Sequence, residues 1–145
     1  MSVGLGFMIM IGGDPCGASP TISSVGTPAT QLQGNCAAQE LQIRTVVSLS
    51  VTLTGTGCTL QRRFYFGSSS TPSYGSWTNI ATTGTSVNDD VNVGLYTTNS
   101  GAGYGSLGTY YYNVEYRIIG TDDSTVCDGP DASSQWSATI YSCMA

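Results

Sequence analysis

Large apolar residues recur at every second position in several stretches of the chain, beginning with the first eleven residues, MSVGLGFMIMI, where they alternate with small or flexible ones. Val3, Leu5, Phe7, Ile9 and Ile11 fall on one parity, with Gly4, Gly6, Met8 and Met10 on the other. Successive side chains of an extended strand point to opposite faces, so this run reads as a strand with one row of large apolar groups. A helix is disfavoured by the two early glycines and by the stop signal Gly12-Gly13-Asp14-Pro15. Such a ribbon needs cover, and what covers it is the functional question.

Further along, Leu41, Ile43, Val47, Leu49, Val51 and Leu53 alternate with Gln42, Arg44, Ser48, Ser50, Thr52 and Thr54. This predicts a long half-buried strand with a bend near Thr45-Val46, ended by Gly55-Thr56-Gly57. Strands are also predicted over 60–66, around 77–81, over 87–97 with Val91, Val93 and Leu95 in phase, and over 109–119. In the last of these Tyr110, Tyr112, Val114, Tyr116 and Ile118 share a face. A final strand carries Trp136, Ala138 and Ile140, and the stretch TDDSTVCDGPDASS before it reads as an acidic loop. Short strands between turn signals, with no helical period, predict an all-β antiparallel sandwich. Three parts are expected: a strand-like N-terminal segment over 1–11, a Gly/Pro/Ser/Thr-rich linker over 12–38 and a sandwich domain over 39–145.

Composition narrows the partners. With 145 residues, one domain can bury most of its apolar surface. Only 9% of residues are charged, against about 25% in ordinary soluble domains, so the surface is hydroxyl-rich. The four cations are all arginines and the net charge is −5, which excludes nucleic acid as an expected partner. The N-terminal apolar run is about half the roughly 20 residues that span a bilayer, so no membrane span is expected. Nothing basic precedes Arg44, unlike a secretory signal.

Five cysteines, Cys16, Cys36, Cys58, Cys127 and Cys143, without a CxxC pair or a histidine, point to disulfides and an oxidising, extracellular destination rather than to zinc. Two intrachain bridges would leave one cysteine for an intermolecular bond. Cys16, in the tail, is the expected spare; a free thiol or a different pairing is the alternative.

Catalysis is hard to assemble from these residues. Without histidine or lysine, the usual bases that activate a serine or cysteine are missing. The only glutamates are Glu40 and Glu115, a poor basis for paired-carboxylate hydrolysis. The expectation is a protein that is not an enzyme and carries no cofactor. Asp122, Asp123, Asp128 and Asp131 are calcium candidates, with Asp89 and Asp90 as a second acidic pair, although the spacing matches no EF-hand and a solvated loop explains it as well. Tyr74, Trp77, Tyr96 and Tyr104 could stack on sugar rings, so glycans are a possible partner, although core and edge-covering roles explain most aromatics.

Two resemblances add to this reading. The Gly108-Thr109-Tyr110-Tyr111-Tyr112 run, placed like a tyrosine corner, and Phe64 to Gly67 followed by Trp77, placed like the C to C′ region, resemble immunoglobulin-like and fibronectin type III-like domains over about residues 40–142. The alternating N-terminal ribbon resembles the donor strand of chaperone-usher pilins, which fills pockets of an incomplete neighbouring sandwich. Carried over, the pocket fillers are Val3, Leu5, Phe7, Ile9 and Ile11. The cysteine-bearing connector ahead of a sandwich also resembles bacterial endospore appendage subunits.

Burying five such side chains is worth about 10 kcal/mol, and ordering about nine residues costs a comparable amount. New ladder hydrogen bonds and any disulfide would therefore decide how permanent the joint is. The expected function is a structural subunit of an extracellular, pilus-like filament, polymerising with copies of itself by N-terminal strand donation. The alternatives are a virion surface or tail component and a secreted carbohydrate-binding module.

Overall fold

A computed structural model describes residues 14–35, 40–97 and 108–140. These residues form nine strands: β1 (Thr21–Val25), β2 (Ala29–Asn35), β3 (Glu40–Thr52), β4 (Thr59–Gly67), β5 (Thr78–Ala81), β6 (Ser86–Thr97), β7 (Gly108–Ile119), β8 (Val126–Ala132) and β9 (Trp136–Ile140). They make two antiparallel sheets packed as an all-β sandwich, as the alternation predicts. Among the described residues no helix is long and apolar enough to cross a membrane.

In the first sheet β3 is central. Its one edge pairs with β6, from Glu40 opposite Thr97 to Ser50 opposite Ser86. Its other edge carries β1 and β2 in succession, Thr21 opposite Thr52 and Asn35 opposite Glu40. In the second sheet β4 and β7 are central, with Thr59 opposite Ile119 and Gly67 opposite Tyr111. Beyond β4 lies the short β5, and beyond β7 lie β9 and β8, which share one edge.

The core follows the period of two. Val47, Leu49, Val51 and Leu53 from the first sheet meet Leu60, Tyr112, Val114, Tyr116 and Ile118 from the second, all essentially inaccessible to solvent. Thr45, in phase with them, is also fully buried. Phe64 and Tyr112 pack with ring centroids 5.7 Å apart, and Phe66 stacks on Tyr110 at 5.5 Å. In the β3–β6 ladder Ile43 and Arg44 lie opposite Gly94 and Asn92, so a bulge places its extra residue, Val93, in β6, while β3 runs unbroken past Thr45-Val46, where a bend was expected. The register shifts there, so Leu95 sits opposite Gln42 and Tyr96 opposite Leu41.

Two expectations are corrected. The linker placed over 12–38 is, from Thr21 to Asn35, two strands hydrogen-bonded to β3. A bulge between Ile22 and Ser24 lets Ile22 be buried while Val25 still packs against the core, so this hydroxyl-rich segment has an apolar side after all. The acidic loop over 121–134 contains β8. Asp, Gly and Pro are unusual in strands, but β8 is an edge strand, where Pro130 costs no ladder bond to a further neighbour. Gly129 has φ +90° and a Cβ there would come within 2.6 Å of the Tyr116 carbonyl oxygen, so this position favours glycine both conformationally and sterically.

Candidate functional site

The ribbon Val3, Leu5, Phe7, Ile9 and Ile11 lies outside the described residues, but its root does not. Asp14 to Ser19 turn tightly: Asp14 Oδ1 accepts from the Cys16 amide at 2.9 Å and Asp14 O from the Gly17 amide at 3.0 Å. Pro15 O accepts from the Thr121 amide at 3.0 Å. The close approach needs a glycine at 120, where a Cβ would lie 2.7 Å from Pro15 O. Cys16 is bonded to Cys127, 111 residues away. Asp128 Oδ2 also accepts from the Ile22 amide at 2.6 Å, drawing β1 toward β8. Closing so long a loop stabilises the fold by roughly 4–5 kcal/mol in the chain-entropy picture.

The expectation that Cys16 is the spare, intermolecular cysteine is therefore corrected: it is consumed within its own chain. Cys58, another disulfide candidate, is a free thiol with no solvent exposure, its Sγ 3.6 Å from Pro15 O. Cys36 and Cys143 lie outside the described residues.

The four calcium candidates have separate local tasks. Asp122 closes the β7–β8 loop, accepting from the Thr125 hydroxyl at 2.5 Å, the Thr125 amide at 2.9 Å and the Ser124 amide at 3.1 Å. These bonds hold its carboxyl down at about 2. Asp123 occupies a left-handed turn position, φ 60°. Asp128 receives the Ile22 amide, and Asp131 has its pKa raised by burial and by Asp128. Among the described residues no three acidic, cysteine or histidine side chains gather closely enough to hold a metal ion.

The Asp89-Asp90 pair is split by the pleat. Asp90 faces outward and pairs with Arg44. Asp89 is buried in phase with Val87 and Val91, where Arg62 Nη1 donates to its Oδ1 at 2.6 Å and the Tyr116 hydroxyl to its Oδ2 at 2.7 Å. Arg62 comes from β4 and Asp89 from β6, so this ion pair joins the two sheets inside the sandwich. Burial pushes Tyr112 up to about 12 and raises Tyr116 further, with Asp89 adding to both. Thr45 Oγ1, the Tyr112 hydroxyl and Arg62 Nε are buried without a hydrogen-bond partner among the described residues.

A second polar group covers the outer face of the β4–β7 sheet. Arg63 forms an ion pair with Glu115, Nε to Oε1 at 2.6 Å, and lies 4.9 Å from the Tyr74 ring and 4.6 Å from the Trp77 ring. Arg117 lies 4.2 Å from the Trp77 ring and donates from Nε to Gln61 Oε1 at 2.8 Å, and Gln61 Nε2 donates to Asn79 Oδ1 at 2.8 Å. Burial raises the Tyr74 pKa, with Glu115 adding to it.

The chain matches no known protein family, curated protein or solved structure. Its chemistry is read from its own residues.

Of the aromatic candidates for sugar stacking, Tyr74 and Trp77 do come together on one face, while Tyr104 lies outside the described residues and Tyr96 is placed only by its register. Arginines already stack on Trp77, so the ring is part of a cation–π assembly, not a bare platform. Both arginine clusters were missed by a reading centred on apolar alternation. Their signal was there: Arg62 and Asp89 occupy inward positions between apolar neighbours, and Arg63 and Arg117 share the outward parity with Glu115.

Proposed function

We propose that this protein is a non-enzymatic structural subunit of an extracellular, pilus-like filament, in which residues 3–11 of one copy add a strand to a neighbouring copy. The observation that carries this reading is the occupancy of β3. Both its edges are filled by the chain's own strands, β6 on one side and β1 with β2 on the other. The place beside β3 where an N-terminal ribbon would return as the sandwich's first strand is thus already taken by residues 21–35.

The ribbon's root supports the same reading. Pro15 ties the chain to the β7–β8 loop and Cys16 ties it to Cys127 at the start of β8, at the pole where β1 begins. Nine extended residues reach about 30 Å, enough to run along a strand of a second copy. Donor and acceptor surfaces differ, so the contact is head to tail, and a rotation that does not close gives an open helical polymer. The sandwich is immunoglobulin-like in this reading: three strand positions in one sheet, β1/β2, β3 and β6, face four in the other, β5, β4, β7 and β8/β9, and constant-type immunoglobulin domains also divide seven strands into four and three.

Deleting residues 2–11 tests the proposal. Electron microscopy of the intact chain should show fibres and the shortened chain should give a folded monomer by sedimentation. Fibres that persist after the deletion would refute strand donation.

A further inference from the structure

The described arginines are not equivalent in charge balance. Arg44 pairs with Asp90, Arg62 with Asp89 and Arg63 with Glu115. Arg117 has no carboxylate partner among the described residues. It is nonetheless held in place, by the bond to Gln61 and by Trp77 4.2 Å away. A guanidinium fixed in this way loses little freedom when it meets an anion. Burial and the nearby Arg63 lower its pKa, the sense expected of a cation whose neighbours do not compensate it.

Of the aspartates without a cationic partner among the described residues, Asp14, Asp122, Asp123, Asp128 and Asp131, the adjacent pair lies in the β7–β8 loop. Asp122 and Asp123 are exposed and have no cationic partner among the described residues. The loop is closed by its own hydrogen bonds: besides the Asp122 bonds to Ser124 and Thr125, the Asp123 amide donates to Gly120 O at 3.0 Å and the Gly120 amide to Thr125 O at 2.8 Å. The Asp123 carboxylate takes part in none of these bonds. Arg117 contacts Gln61 of β4 and Trp77, whereas the loop leads to β8 on the opposite side of β7, and no ion pair joins the two within one copy among the described residues. Copies with a net charge of −5 repel one another at a distance. A contact between them needs a local match of opposite sign, and these two patches provide one.

We infer that the Arg117–Trp77 face of one copy receives the Asp122-Asp123 loop of a second copy. The patches differ, so the contact is heterologous and can extend along a filament. The inference rests on the filament reading for the meeting of copies, but it involves neither the N-terminal ribbon nor its acceptor edge.

A double-mutant cycle on the full chain tests it, using Arg117→Gln and Asp123→Asn. Asparagine tolerates the left-handed backbone at 123, and melting curves should show both variants folded. Each single change should weaken self-association, followed by light scattering against concentration, by about tenfold, and the double variant should be no weaker than either single one. Arg117→Glu should weaken it further. Unchanged association in both single variants, or losses that simply multiply in the double variant, would overturn the pairing. If those variants assemble normally while the 2–11 deletion does not, this contact fails and strand donation stands. If instead Arg117→Gln spares self-association but abolishes retention on a polyuronate gel, the face serves an acidic glycan and the proposal is wrong. An intact chain that never self-associates would end both readings.

Discussion

Arg62 and Arg63 are neighbours in sequence with opposite fates. β4 sends Arg62 inward, where it is 14% exposed and meets an Asp89 carboxylate that is 5% exposed, and sends Arg63 outward onto Glu115, Tyr74 and Trp77. The chemistry of the two ion pairs is the same, and the surroundings decide their worth. In the core both charges have left water, so each depends on the other and on the Tyr116 hydroxyl. On the surface water competes for every bond, and much of what Arg63 contributes is its flat contact with aromatic rings.

Breaking the inner pair should have the largest effect. Arg62→Ala strands the Asp89 charge in the core and should destabilise the fold by about 3–5 kcal/mol, read as a shift in the denaturant midpoint. Replacing both partners by apolar residues, Arg62→Met with Asp89→Leu, should recover most of that loss. If the single change were as mild as the double one, the inner pair would not be behaving as a desolvated unit. The outer pair should respond far less. Glu115→Gln is expected to cost about 1 kcal/mol or less, and Arg63→Ala somewhat more, because it also uncovers Tyr74 and Trp77. A larger loss for Glu115→Gln than for Arg62→Ala would reverse the comparison.

The same contrast explains how much of the molecule could be read from its sequence. β3, β4, β6, β7 and β9 were legible because apolar side chains recur at every second position, as in Val47, Leu49, Val51 and Leu53. β1 and β2 were not, since Thr, Ser and Gln fill them and Ile22 is the single buried side chain of β1. Their place is set by β3, which offers a long edge of unpaired amides and carbonyls that the segment satisfies. β8 was hidden by Asp128, Gly129, Pro130 and Asp131, residues that suit an edge. The Cys16–Cys127 bond could not be chosen among the possible pairings without knowing that β1 lies beside β8. Of the site residues, the ribbon was visible as a pattern, whereas Arg62 and Asp89 were obscured by the habit of reading inward positions as apolar.

The most direct test of the central claim is to ask which molecule the ribbon touches. A photo-crosslinking amino acid in place of Phe7, in assemblies mixed from isotopically light and heavy chains, would mark its contacts in the polymer. Strand donation predicts crosslinks that join light to heavy chains. Crosslinks confined within single chains would contradict it.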